Sequence, residues 1–68
     1  MLVEFHYGHL VMAMTLPFVP SVNESVKLDD GQKIISADVH HVLHVLAQDD
    51  GKTLYKAEVY LISSEGKP

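Results

Sequence analysis

The sequence has no cysteine, few basic residues and no long apolar run, and each absence excludes a class of structure or partner. Without cysteine there is no disulfide and no thiolate-bound zinc. Lysine and arginine together number 5 against 9 acidic residues, which gives this acidic chain a formal net charge of −4. Nucleic-acid-binding proteins normally show a basic stripe, so we expect no nucleic-acid partner. No apolar run approaches the roughly 20 residues of a membrane helix, so we expect no membrane partner.

A basic amino-terminal region is also missing. The stretch LVMAMTLPF, residues 10–18, has the apolar character of a secretion signal, but no lysine or arginine precedes it, and Glu4 stands where a positive charge belongs. We therefore expect a mature intracellular chain in the cytoplasm. The 68 residues, 47% of them hydrophobic, predict one small domain over 1–68. A domain of this size depends on a tight core or on oligomerisation.

Two Asp-Asp-Gly triplets, at 29–31 and 49–51, divide the sequence. Asp-Gly between alternating apolar runs is a strong hairpin signal. The triplets predict two hairpins made from three strands: 25–29, 32–48 and 52–63. A further strand is expected over 2–15. Pro17 and Pro20 would end it, because proline lacks the N–H donor that a sheet ladder uses.

Residues 36–47 also fit a helix. Ser36 would cap it, and apolar residues recur at helical spacing: Val39, Val42, Leu43 and Leu46. Against the helix, the segment is rich in β-branched residues, which lose rotamer freedom in a helix. The following run TLYKAEVYLIS alternates like a strand and needs a partner. We therefore predict a strand.

The loop at the second triplet sets the pairing of the last two strands. We predict a three-residue loop over 49–51 with Gly51 left-handed, because this register best separates apolar from polar pairs. Val39 then faces Leu61, and His41 points inward. On the outer face, the predicted pairs are His44 with Lys56, Val42 with Glu58 and His40 with Tyr60.

The strand over 32–48 is too long for the domain unless it bends. At about 3.3 Å per residue it would exceed ~50 Å, whereas a domain of this size is about 30 Å across. A β-bulge near Ile34-Ile35 or His40-His41, where the alternation breaks, would supply the bend. We predict an all-β fold: a small SH3-like or OB-like antiparallel barrel of four to five strands with a long bent central strand.

Three histidines in the middle strand raise the question of a metal site. On a helix, His40 and His44 would lie about 6 Å apart and could share a zinc ion. On a strand they lie about 13 Å apart, and His41 points to the opposite face. We therefore expect no metal centre and no cofactor, although His6 or His9 could still join one of them. No Ser or Cys nucleophile stands in a recognisable motif, so we expect no enzymatic activity.

The stretch HLVMAMTL, residues 9–16, is apolar on both faces. Leu10, Met12 and Met14 share one face, and Val11 and Ala13 share the other. A strand that is apolar on both faces is buried on both. We predict that Leu10, Met12 and Met14 form the interface of a homo-oligomer, since methionine suits adaptable contacts. The alternative is that the loop over 16–24 of the same chain covers the second face.

Three stretches, LPFVPSVNESVKLDDGQ, ADVHHVL and AEVYLIS, together resemble small uncharacterised β-barrel proteins of phages and prophages. Those proteins have an entry strand that ends in a Pro-x-x-Pro-like corner, a turn, a valine-rich strand and a final Val-x-Leu strand. This chain departs from them at Asn23, where a glycine is usual; asparagine tolerates the left-handed conformation nearly as well. The resemblance implies a small barrel and a phage context but no activity.

We predict a non-enzymatic binding module that acts on a protein partner. In a phage setting it would be an inhibitor or a minor virion component. The alternative is an oligomeric protein that sequesters a small, nucleotide-like ligand. For either role, the polar groups that we expect to bind are those of His40, His44, Lys56 and Tyr60.

Overall fold

The computed structural model describes residues 1–64, which form five strands and no helix. The strands are β1 Leu2–Tyr7, β2 Leu10–Thr15, β3 Ser25–Asp29, β4 Ile34–Asp49 and β5 Lys52–Ser63. They make one sheet in the order β2-β1-β5-β4-β3, strongly curled into a half-barrel. The all-β prediction is confirmed. Over residues 1–64 there is no helix of the length and apolar character needed to span a membrane.

The sheet is mixed, which corrects the antiparallel prediction. β1 runs parallel to β5, with Val3 opposite Ala57 and Phe5 opposite Val59. The other neighbouring strands are antiparallel. Within the described part of the chain, β2 and β3 are the outermost strands of the sheet and do not pair with each other. The first strand therefore joins the sheet through β5 and leaves the barrel open.

The segment predicted as one strand over 2–15 is a hairpin. Gly8 and His9 form a turn, and β1 pairs with β2 from Leu2 opposite Thr15 onward. Gly8 has a φ of 59°. The first central position of a type II′ hairpin turn takes glycine because it needs positive φ. The strands predicted at 25–29 and 52–63 are confirmed, and the one predicted at 32–48 spans Ile34–Asp49.

The prediction of a three-residue loop between β4 and β5 is wrong. Asp50 and Gly51 alone join Asp49 to its partner Lys52, and their φ values are 51° and 77°. Positive φ at both central residues is the requirement of a type I′ turn, whose twist matches that of the flanking strands. The pairing next to the turn is therefore shifted by one residue from the prediction.

A bulge at His40 cancels this shift further along β4. Val39 pairs with Leu61 and His41 pairs with Tyr60, so His40 is an extra residue without a partner on β5. The predicted pairing of Val39 with Leu61 is correct for this reason. The prediction of a bulge at the His40-His41 doublet is confirmed, and bulges bend and twist a strand.

Side-chain and backbone hydrogen bonds hold the two turns that flank β3. Glu24 N–H donates to the carbonyl of Ser21 at 3.1 Å, and Asn23 has a φ of 76°, so asparagine takes the left-handed position as predicted. At the first Asp-Asp-Gly triplet, the Asp30 carboxylate accepts N–H bonds from Gln32 and Lys33, both at 2.9 Å. Those bonds, that from Lys33 above all, lower the pKa of Asp30.

The core lies on one face of the curled sheet, here called the inner face. Its buried residues are Val3, Phe5, Leu28, Ala37, Val39, Ala57, Val59 and Leu61. Partly buried side chains from β2 and from the segment between β2 and β3 pack against them, including Met12, Met14, Leu16 and Val19. The opposite, outer face holds the alternate residues of each strand.

Candidate functional site

The outer face carries a polar cluster on the two parallel strands β1 and β5. Its members, here called the outer cluster, are Glu4, His6, Lys56, Glu58 and Tyr60. Glu4 lies opposite Glu58, and His6 lies opposite Tyr60. The cluster results from the alternation of side chains along a strand. Val3 and Phe5 on β1 point to the core, so Glu4 and His6 point outward on the same face.

Ion pairs connect the outer cluster. Lys56 Nζ lies 3.3 Å from Glu4 Oε2 and 3.3 Å from Glu58 Oε2, so one ammonium bridges two carboxylates. His6 Nε2 lies 3.3 Å from Glu4 Oε1. The side chains of Glu4, His6 and Glu58 are only 22%, 24% and 16% exposed. The cluster is therefore partly shielded from water, although it lies on the outside of the sheet.

Tyr60 orients two other members of the cluster. Its hydroxyl donates to Glu58 Oε1 at 2.6 Å. Its ring stacks on the imidazole of His6, with the ring centroids 4.7 Å apart and the planes 25° apart. Both groups are thereby held in place on the sheet surface.

These contacts shift three pKa values. The hydrogen bond to Glu4, followed by that to Glu58, raises the pKa of Lys56. The hydrogen bond from Tyr60, followed by that from Lys56, lowers the pKa of Glu58. The pKa of Tyr60 is raised because its neutral hydroxyl donates to a carboxylate and loses some hydration. In each case the contacts stabilise the state that is present near neutral pH: charged Lys56, charged Glu58 and neutral Tyr60.

Of the four predicted binding residues, the structure brings only two together. Lys56 and Tyr60 belong to the outer cluster, but His44 lies on the inner face opposite Ala57. The Nδ1 atom of His44 is 2.8 Å from the Tyr55 hydroxyl, and the two rings stack. The predicted pair of His44 with Lys56 is therefore wrong.

The other predicted pairs change with the same shift in register. His40 is the exposed bulge residue, and Tyr60 pairs with His41 instead. His41 is exposed on the outer face, with its ring centroid 6.1 Å from that of Tyr60, so the inward orientation predicted for it is wrong. Val42, predicted opposite Glu58 on the outer face, pairs with Val59 on the core side.

The sequence does not single out Glu4 and Glu58 as site residues, and it suggests His6 only as a partner for the histidines of β4. The alternation of Glu4 and His6 with Val3 and Phe5 is a visible sign that both face outward. Nothing local indicates that Glu58 lies beside Glu4, because this contact depends on the parallel pairing of β1 with β5.

The residues predicted to form an oligomer interface lie on the inner side of β2. Met12 and Met14 pack against the core, opposite Phe5 and Val3 respectively. Leu10 is half-buried at the start of the strand. Val11 and Ala13 are exposed on the other face. The oligomer interface predicted for Leu10, Met12 and Met14 stays a prediction.

A second feature is the part of the β4–β5 hairpin that extends past the other strands. β1 pairs with β5 only over Lys56–Tyr60, so the segment Leu46–Tyr55, here called the arm, is two-stranded. β3 pairs with β4 only as far as Asp38, and backbone bonds of Val39 with Asn23 and Glu24 end the contact. Within residues 1–64, the side of β4 from His40 to Asp49 has no neighbouring strand; we call it the open edge.

Apolar side chains are exposed on both faces of the hairpin near its tip. Leu46, on the inner face, is 69% exposed, and Leu54, on the outer face, is 52% exposed. Leu43, beside Glu58, is exposed as well. A two-stranded hairpin is only marginally stable in water by itself, and exposed leucines lower its stability further.

No protein-family model, curated protein sequence or solved structure matches this chain.

Proposed function

We propose that the protein is a non-enzymatic binding module that acts through protein–protein contact, with the open edge of β4 as its contact surface. The observation behind the proposal is that this edge lacks the residues that normally prevent pairing with another strand. From His41 to Gln48 there is no Lys, Arg, Asp, Glu, Pro or Gly. Sheet proteins normally protect an exposed edge with charged residues, proline or a short strand. An edge without these devices is suited to accept a strand from another polypeptide.

Hydrogen-bonding geometry indicates which backbone groups the edge offers. A two-residue hairpin loop closes on a hydrogen-bonded pair, here Asp49 with Lys52. Bonded and unbonded positions alternate along an antiparallel ladder. The N–H and C=O groups that point away from β5 therefore belong to Val42, His44, Leu46 and Gln48.

We propose a second copy of the chain as the partner strand. A two-fold axis through Val45 would pair the open edges antiparallel and place Leu43 opposite Ala47 of the other copy. It would also set His41 opposite Asp49 of the other copy, a complementary pair when the imidazole is protonated. Such a contact uses the same surface on both subunits, as a two-fold dimer requires.

Sedimentation velocity over a range of protein concentrations, together with native mass spectrometry, tests this proposal. We expect a dimer that a Leu46→Lys substitution converts to a monomer, because lysine near the two-fold axis repels its copy. Leu54→Lys is the matched control, since Leu54 is exposed on the same arm but belongs to β5. A wild-type chain that stays monomeric, or equal losses of dimer in both variants, would contradict the proposal.

Hydrogen exchange gives an independent measurement of the same contact. In the dimer, the amides of Val42, His44 and Leu46 should exchange slowly, and in the Leu46→Lys monomer they should exchange fast. The amides of Leu43 and Val45, which bond to β5, should be protected in both. If the outward-pointing amides exchange fast in a dimeric sample, the copies associate through another surface.

A small-ligand role is the second candidate, and an apolar groove of about 590 Å³ favours it. The groove lies between β3 and the end of β2, and its apolar lining includes Phe5, Met14, Leu16, Phe18, Pro20 and Val26. Its charged lining residues are Glu24, Lys27 and Asp29, a poor set for phosphate. An uncharged apolar ligand therefore suits it better than a nucleotide. Binding of N-phenyl-1-naphthylamine that is lost in Phe18→Ser would support this role, and no fluorescence change would oppose it.

We also propose an SH3-like or OB-like class for this fold, which the half-barrel and the long middle strand with its bulge support. The phage context, the role as an inhibitor or a minor virion component, and the cytoplasmic location also stay predictions.

A further inference from the structure

Three potential metal ligands converge on the outer face. One ligand atom from each of Glu4, His6 and Glu58 lies within 4.8 Å of the other two. They come from two adjacent strands: Glu4 and Glu58 are partners in the parallel ladder, and His6 is the next outward residue on β1. The sheet holds the backbones of these three residues, so their Cα atoms have a fixed spacing.

The spacing suits a small tetrahedral ion. With bonds of about 2.1 Å, two ligand atoms of a tetrahedral zinc ion lie roughly 3.4 Å apart. His6 Nε2 and Glu4 Oε1 are 3.3 Å apart. Small side-chain rotations would bring a Glu58 oxygen to the same spacing, because all three atoms already lie within 4.8 Å.

A cation already occupies the neighbouring position. The ammonium of Lys56 lies 3.3 Å from one oxygen of Glu4 and 3.3 Å from one oxygen of Glu58. The two carboxylates carry two negative charges, and Lys56 compensates one. The two carboxylates therefore attract a cation to the space between them, and the cluster has a net charge of −1 when His6 is neutral.

Tyr60 supplies the outer support that metal ligands usually have. Its hydroxyl bonds to Glu58 Oε1 at 2.6 Å, and its ring stacks on His6. In metal sites, hydrogen bonds to a ligating carboxylate or histidine fix its orientation and strengthen binding. The same residue here restrains two of the three ligands.

We propose that Glu4, His6 and Glu58 form a binding site for a zinc-type divalent cation, with Lys56 as the internal cation that competes for it. One imidazole and two carboxylates match the ligands of zinc, with a fourth position for water. Calcium and magnesium prefer oxygen ligands alone, so they should bind less well. The site is independent of the open edge of β4 and stands or falls separately from the proposed dimer.

Calorimetric titration of the full chain with Zn²⁺ tests the site, with Co²⁺ absorption as a report of ligand geometry. Wild type should bind one ion per chain at this site, and His6→Asn and Glu58→Gln should each raise the Kd at least tenfold. Lys56→Gln should lower the Kd several-fold, because it removes the competing ammonium. An increase in affinity on loss of a surface lysine is not expected from a change in folding alone.

His41→Asn is the matched control, since His41 also lies on the outer face but outside the group of three ligands. Its Kd should equal that of wild type, and far-UV circular dichroism should show that every variant is folded. The proposal is wrong if Zn²⁺ binds neither wild type nor Lys56→Gln. It is also wrong if binding survives in His6→Asn and is lost in His41→Asn, which would assign the ion to the histidines of β4.

Discussion

His41 and Tyr60 lie opposite each other in the β4–β5 ladder, with ring centroids 6.1 Å apart, because His40 is extruded from β4 as a bulge. The partners on either side of the bulge are consecutive on β5: Leu61 for Val39 and Tyr60 for His41. The bulge therefore keeps Val39 and Val42 on the inner face, with His41 between them on the outer face.

Deletion of His40 should leave the ladder intact. Val39 and His41 would then be neighbours with neighbouring partners, and no side chain would change face. Deletion of Leu43 is the control. It restores a regular ladder only if His41 turns toward the core, which costs about 1–3 kcal/mol for a buried polar group without a partner. Urea unfolding should show the smaller loss for the His40 deletion; the reverse order would contradict this account of the bulge.

The turn of the β4–β5 hairpin makes a second prediction. Gly51 has a φ of 77°, where a residue with a Cβ costs roughly 1–2 kcal/mol. Gly51→Ala should lower the free energy of unfolding by about that amount. Asp50→Asn should leave it unchanged or raise it slightly, because Asn-Gly is a preferred type I′ pair. Equal effects of the two substitutions in urea unfolding would argue against the two-residue turn.

Turn signals and alternation predicted β3 and β5 to the residue, and the broken alternation at the His40-His41 doublet predicted the bulge. They did not predict the register next to the turn. Segregation of apolar from polar residues on the two faces favours Val45 opposite Tyr55, whereas Val45 lies opposite Lys56. Near the tip, side chains such as Leu46 and Leu54 are exposed, so burial does not enforce segregation there, and the turn geometry of Asp50 and Gly51 decides the register instead.

The sequence does not predict the outer cluster, for a different reason. Two strands that are far apart in sequence can meet in parallel or antiparallel fashion, and side-chain patterns do not distinguish these arrangements. Only the parallel register brings Glu4 beside Glu58 and His6 beside Tyr60. The dense histidines of β4 suggest His40 and His44 as site residues, but the bulge and the register separate them.

The inner side of β2 supports a third prediction. Met12 packs against the core, so Met12→Ala should lower the free energy of unfolding by about 1–3 kcal/mol, less than a fully buried position would. Val11→Ser, on the exposed side of the same strand, should change it by no more than about 0.5 kcal/mol. Urea unfolding measures both. If Met12→Ala instead leaves stability unchanged and alters the oligomeric state, Met12 belongs to an interface as the sequence predicts.

The outer cluster predicts how stability depends on pH. The pKa of Glu58 is lowered from 4.5, so its contribution is present above that value and is lost as the pH falls through the lower, folded-state pKa. The pKa values of Tyr60 and Lys56 are raised from 10.0 and 10.5, so their contributions are present below those values and are lost as the pH rises further. The urea midpoint should therefore be flat near neutral pH and fall on both sides.

Substitution of Glu58 separates this cluster from the other titrating groups. Because Glu58 accepts hydrogen bonds from both Tyr60 and Lys56, Glu58→Gln should make the decline in stability shallower at both acid and alkaline pH. Tyr60→Phe removes only one of these bonds, so the alkaline decline that belongs to Lys56 should persist. Urea midpoints between about pH 3 and 11 measure the three profiles. Profiles of wild type and Glu58→Gln that run parallel would show that the pH dependence arises elsewhere, such as from Asp30, whose pKa is lowered by the N–H groups of its own turn.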